Sequence, residues 1–140
     1  MIYVLCGIPG SGKTTKAIQL AEENNAKLYS YDVVRYNSKL SSFKDICALI
    51  YKSINDDLSK GLNVVYDAPN HRLQYRKDIL NDISDISCKK ICVVLPTPLE
   101  ECLKRNANRE ARLPEFVLYD IYDKFEIPTL DEGWDDIWYF

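Results

Sequence analysis

Eight consecutive residues near the start of the chain, Gly7, Ile8, Pro9, Gly10, Ser11, Gly12, Lys13 and Thr14, have the types and spacing to hold a phosphate. Gly7, Gly10 and Gly12 permit backbone conformations that turn successive N–H groups inward, and a helix starting at the end of the loop adds the positive end of its dipole. Lys13 can then reach the β- and γ-phosphates of a nucleoside triphosphate, and Thr14, followed by Thr15, offers a hydroxyl to Mg²⁺. The expected donor set is ATP with Mg²⁺, held by Gly7, Gly10, Ser11, Gly12, Lys13, Thr14 and Thr15. Such a loop serves kinases, GTPases and motor ATPases alike, so residues on the acceptor side must decide between them.

The loop needs a strand before it and a helix after it, and both are legible. Ile2, Tyr3, Val4, Leu5 and Cys6 form an apolar run suited to a strand buried on both faces, and residues 14–24 carry Ala17, Ile18, Leu20 and Ala21 at helical spacing. Further strands are predicted at 27–31, 62–66 and 90–95. Helices are predicted at 43–60, with Ile46, Leu49, Ile50, Ile54 and Leu58 on one face and Gly61 as its stop, and at 73–83, 98–106 and 115–125. An irregular tail follows. Alternation of this kind implies an α/β three-layer sandwich around a central parallel sheet of about four strands, joined by right-handed crossovers. Ligands in such folds bind beyond the carboxyl ends of the strands.

The residues just past those ends are polar. Asp32 and Arg35 follow the second strand three residues apart, so one helical turn would put both on one side. Asp32 could take the proton of an acceptor hydroxyl while Arg35 holds an anionic group; an N-cap aspartate beside a surface arginine is the simpler alternative. Asp67 follows the third strand where a carboxylate can hold a metal or its water, or can form a turn with Ala68, Pro69 and Asn70. His71 is expected to be solvent-exposed. Arg72 and Arg76, four apart, suit either a basic rim or a solvated face. Lys104, Arg105, Arg109 and Arg112 suggest a basic lid loosened by Asn106 and Asn108, with Arg105 and Arg109 on one face, or else a charged surface helix.

Composition bounds the rest. The 140 residues, 46% hydrophobic, suffice for one core, so residues 1–140 are expected to form a single domain. Five scattered cysteines and one histidine suit neither a disulfide framework nor a zinc site; buried thiols are expected. No run is long enough to cross a membrane, and the first apolar run reaches the loop by Gly7, leaving no room for a signal peptide; the cytoplasm is the expected address. The net charge of −3 conceals a split: residues 1–119 hold 17 basic and 14 acidic residues, whereas 120–140 hold one lysine and seven acids. The acidity belongs to the tail, so whole-chain charge does not exclude a nucleic-acid partner.

Together, the loop at Gly7–Thr14, Asp32-x-x-Arg35, Asp67 and Arg105-Asn106-x-x-Arg109 resemble the polynucleotide 5′-hydroxyl kinase family of P-loop phosphotransferases. The segment Asp131-Glu132-Gly133-Trp134 also resembles the closing segment of kinases in this wider group. The resemblance implies ATP-dependent phosphorylation of the 5′-OH end of RNA or DNA. It implies Asp32 as general base, Arg35 on an acceptor phosphate, Lys13 and Thr14 on the donor phosphates and Mg²⁺, Arg105 and Arg109 on the transferring phosphoryl group, and Asp67 as an acid near the acceptor. No DxDx[TV] phosphatase or KxDG ligase motif accompanies it, so a kinase domain alone is expected. The same layout would serve a small-molecule kinase acting on a sugar, nucleoside, antibiotic or nucleotide-sugar. A nucleotide switch is a further alternative, although no NKxD guanine-recognition motif is present.

Overall fold

A strand flanked on both sides by other strands must bury both of its faces, and β1 (Ile2–Cys6) does so completely. Ile2, Val4 and Cys6 enter one apolar cluster, and Tyr3 and Leu5 enter another on the opposite face of the sheet. The structure, a computed structural model, describes residues 1–110 and 112–140. Along the chain follow α1 (Lys13–Glu23), β2 (Lys27–Ser30), α2 (Tyr31–Asn37), α3 (Phe43–Ser59), β3 (Val64–Asp67) and α4 (Leu73–Asp82). After these come β4 (Lys90–Val94), α5 (Leu99–Ala107), α6 (Glu115–Asp123), a 3₁₀ turn (Leu130–Glu132) and β5 (Asp136–Tyr139).

The strands run parallel in the order β2-β3-β1-β4-β5. Ala17 and Leu20 of α1 cover one face, while Ile46, Ile50, Ile54 and Leu58 of α3 and Ile79 and Leu80 of α4 cover the other. This is the expected α/β three-layer architecture. Leu49 lies off the buried stripe of α3 and is exposed. Four cysteines are buried, Cys88 is half-buried, and all five are free thiols. No described helix is long and apolar enough to cross a membrane.

The sheet has five strands rather than four. The tail read as irregular supplies β5, which pairs with β4 from Ile91↔Asp136 to Val94↔Tyr139. Its alternation divides its side chains: Ile137 packs with the α3/α4 cluster and Trp138 with the α1 cluster. Trp134 is buried, whereas Phe140 stays half-exposed with Lys16 Nζ 3.6 Å from its ring centre.

Two side chains depart from their expected surface positions. Arg76 belongs to neither a basic rim nor a solvated face, because it is fully buried. Its Nε and Nη2 donate to the two carboxylate oxygens of Glu132 at 2.8 and 3.0 Å, and Nη1 donates to the Asn70 carbonyl at 2.9 Å. Glu132 also accepts from Trp134 Nε1 and from the Thr129 backbone N–H. Arg72 is exposed and lies 3.9 Å from Glu126. His71 is buried, not exposed: its ring packs against Tyr75 and Phe125.

Edge strand β2 is held by α3 through Asp57, which accepts from Lys27 Nζ at 3.2 Å and from the Tyr29 hydroxyl. Burial and that bond push the Tyr29 phenol up to about 12. Because α2 follows β2 without a loop, Asp57 indirectly fixes where Asp32 stands.

Two outcomes follow from these buried groups. Burial would raise the Glu132 carboxyl, but the bonds from Arg76, Trp134 and Thr129 outweigh it and hold the group below the ordinary range. The stability it contributes is therefore complete above its unfolded value near 4.5 and lost as pH falls through the lower folded value. Arg76→Met leaves that carboxylate buried and unpaired and should cost about 3–5 kcal/mol in urea unfolding at neutral pH. A loss within error of zero would refute the structural role given to the pair. His71, the chain's one histidine, is pushed down to about 4 by burial and by Arg72. NMR titration should find it neutral at pH 6, and the stability linked to it should decline as pH drops from about 6.5 towards 4.

Candidate functional site

The loop between β1 and α1 is shaped by what surrounds it. Gly7 donates its N–H to the Pro69 carbonyl at 3.0 Å. Gly10 takes φ +84°, and a Cβ there would lie 2.7 Å from the Cys102 carbonyl of α5. At Gly12, φ +96°, a Cβ would meet nothing closer than Arg105 Nη1 at 3.5 Å, and no side chain caps α1. The first N–H groups of α1 are thus left without a side-chain cap where the loop opens into a cleft. Gly7 and Ser11 sit behind the loop: a Cβ on Gly7 would come within 2.8 Å of Ser11 Oγ, and the Ser11 carbonyl accepts from Thr97 Oγ1.

The cleft has a volume of about 750 Å³ and is lined by Gly10, Gly12, Lys13, Thr14 and Thr15 of the loop and α1. Asp32, Arg35, Asp67, Arg105 and Arg109 line it as well. Ser30 caps α2 by accepting from Val33 N–H, which sets Asp32 in the first turn and Arg35 one turn on, with Arg35 Nη2 3.5 Å from Asp32 Oδ1. Both side chains are largely exposed to the cleft mouth. Asp67 is the last residue of β3, buried, and accepts from Thr14 Oγ1 at 3.0 Å. Burial raises its carboxyl, with Lys13 and the Thr14 bond opposing the rise.

Lys13 is buried, and none of the described side chains accepts a hydrogen bond from its ammonium. Burial lowers its affinity for the proton, Asp67 and Asp32 pull the other way, and Arg109 adds to the lowering. Arg105 reaches over the loop, donating to the Gly10 carbonyl at 3.3 Å while its Nε pairs with Glu101 at 3.2 Å. Arg109 lies beyond the end of α5 yet faces the same cleft, so a shared helical face is not what brings the two together. Asn106 does the opposite of loosening this segment. It is buried, donates to the Leu113 carbonyl at 2.8 Å and accepts from Leu113 N–H at 3.0 Å, bracketing the turn between α5 and α6. Lys104 pairs with Glu100, and Arg112 lines a separate smaller hollow.

These residues fit a nucleoside triphosphate with Mg²⁺. A buried ammonium without a bonded counter-ion, next to an uncapped helix start and an open glycine, is a donor set for an anion. The joined hydroxyl and carboxylate of Thr14 and Asp67 are hard oxygen donors. Mg²⁺ takes few protein ligands of this kind and fills the rest of its shell with water and phosphate oxygens.

The rest of the lining was not foreseen as part of a site. Tyr31, Phe43, Tyr51, Tyr66, His71 and Tyr75 supply an aromatic wall, and Val117 and Ile121 of α6 also line the cleft. Phe43 opens α3 and Tyr75 lies in the first turn of α4, so aromatics at helix starts above the sheet's carboxyl edge were the available signal.

The chain is 28% identical to an L-seryl-tRNA(Sec) kinase of Methanococcus maripaludis, over 96% of this chain and 56% of that protein. It is 27% identical to a bifunctional polynucleotide phosphatase/kinase of Schizosaccharomyces pombe, over 97% of this chain and 32% of that protein. It thus spans about half of the first relative's length and a third of the second's. Its fold matches that of Chaetomium thermophilum Kti12, solved with ADP-AlF3, at a TM-score of 0.81 and 19% identity, over 100% of this chain and 88% of the other. A family model described as an AAA domain matches residues 2–128, and the chain belongs to that family.

Proposed function

We propose that the chain is an ATP-dependent phosphotransferase that moves a γ-phosphoryl group to a hydroxyl, the acceptor being the 5′-OH end of RNA or DNA. The observation that carries this is the meeting in one cleft of a buried Lys13 that bonds to none of the described side chains, the Thr14–Asp67 pair, an accessible carboxylate, Asp32, beside Arg35, and the further arginines Arg105 and Arg109. Asp32 stands at the accessible mouth of the cleft, on a helix separate from the phosphate loop, where a carboxylate can serve as base for an incoming hydroxyl. The names of two relatives, a seryl-tRNA kinase and a polynucleotide phosphatase/kinase, support an acceptor hydroxyl borne on nucleic acid.

In this reading Lys13 and the loop N–H groups bind the β- and γ-phosphates. Thr14 and Asp67 would hold Mg²⁺, which would supply charge neutralisation to the donor phosphates. The acceptor oxygen bonds to the γ-phosphorus as the bond from phosphorus to the β–γ bridging oxygen breaks. The hydroxyl proton passes to the Asp32 carboxylate, and ADP leaves with the bridging oxygen. Arg35 steadies an acceptor phosphate, and Arg105 and Arg109 face the charge that develops on the transferring group.

Incubation with γ-labelled ATP should label 5′-OH oligonucleotides. Asp32→Asn should lower kcat by about 10² to 10⁴ while ATP binding persists. An enzyme inert on every oligonucleotide but active on a metabolite would overturn the choice of acceptor. Arg109→Ala should reduce transfer by about 10³ or more with little change in oligonucleotide binding, in line with arginines that act on a transferring phosphoryl group. A change confined to KM would assign it to binding instead.

A further inference from the structure

The cleft is divided by chemistry. Its cations, Lys13, Arg35, Arg105 and Arg109, contrast with an aromatic wall that starts at Tyr31, the residue before Asp32. From there ring contacts run without a break: Tyr31 to Phe43 at 5.5 Å between centroids, Phe43 to Tyr75 at 5.1 Å, and Tyr75 to His71 at 5.5 Å. These pairs are tilted or edge-on, so the rings do not consume one another's faces by parallel stacking. The wall carries no charge at neutral pH, since His71 is held neutral. Val117 and Ile121 also line the cleft.

A sugar would leave the ring faces of this wall unused, and the cation nearest to it, Arg35, stands at its Tyr31 end, 6.0 Å from that ring's centre. A planar heterocycle would use it fully, because any base presents a π-face to aromatic side chains. Resting on the reading of the chain as a 5′-hydroxyl kinase, we propose that the wall formed by Tyr31, Phe43, Tyr75 and His71 is a subsite for the nucleobase of the acceptor's terminal nucleotide. The base stacks there while its own 5′-hydroxyl meets Asp32. Stacking on Phe43 and the half-buried rings of Tyr31 and Tyr75 reads a base's π-face, and the buried Nδ1 of His71, without a hydrogen-bond partner among the described residues, is the group in the wall that can meet a base edge.

The test changes the substrate before the protein. Two oligonucleotides of identical length and phosphate count are compared, one with a normal 5′-terminal nucleotide and one whose terminal nucleotide is an abasic tetrahydrofuran bearing the same 5′-hydroxyl. The wild-type chain should show a KM about tenfold or more higher for the abasic acceptor, from the usual worth of one base–aromatic stack. Phe43→Ala, made at a half-exposed position, should narrow the gap between the two acceptors, and Phe43→Trp should preserve it. Equal KM values for the two acceptors with wild-type chain would overturn the subsite while leaving the kinase reading intact. Failure to phosphorylate either oligonucleotide would overturn both.

Discussion

The buried guanidinium of Arg76 joins parts of the chain that have no other common anchor. Its fork grips Glu132, 56 residues away, and its remaining nitrogen holds the Asn70 carbonyl. Asn70 in turn donates to the Leu5 carbonyl at 2.7 Å and accepts from Cys6 Sγ, the two residues from which the phosphate loop springs. Glu132 binds the indole of Trp134, just before β5. One charge pair therefore sets the root of the loop, the segment after Asp67 and the entry into the last strand. A pair this deep tolerates its desolvation only because every carboxylate oxygen and most guanidinium donors are bonded.

That anchoring explains how a small chain keeps a site open at the edge of its sheet. β1 and β3 emerge side by side, so Lys13 and Asp67 face each other without any long-range loop. α2 then brings Asp32 in from the β2 side, while α5 and the turn pinned by Asn106 bring Arg105 and Arg109 from the β4 side. Lys13, Arg105 and Arg109 gather at the loop and around the end of α5, the rings gather where α2, α3 and α4 begin, and Arg35 on α2 stands where the two meet. The division of the cleft into a charged half and an aromatic half thus follows from which elements border it.

How far this was legible in the sequence depended on distance along the chain. The strand, loop and first helix are contiguous, and their glycine spacing and two-faced apolar run express local constraints directly. Asp32 and Arg35, and Asp67 at the end of β3, were legible because parallel sheets put their active edge at strand ends. β5 was hidden because an edge strand of four residues shares its burial between Ile137 and Trp138, and acidic neighbours disguised it. Arg76 looked like a surface partner of Arg72 because its real partner is remote in sequence. His71 and the aromatic wall were missed for the same reason: their burial comes from α4 and Phe125, which only the fold brings alongside.

The central claim is that donor loop and acceptor base work on one hydroxyl across a single cleft. The most direct measurement is ADP production with no nucleic acid, with 5′-phosphorylated oligonucleotide and with the same oligonucleotide bearing a 5′-OH. Only the 5′-OH ends should stimulate ADP formation, with one ADP released per end phosphorylated. ATP consumption that proceeds at the same rate in all three mixtures would contradict it.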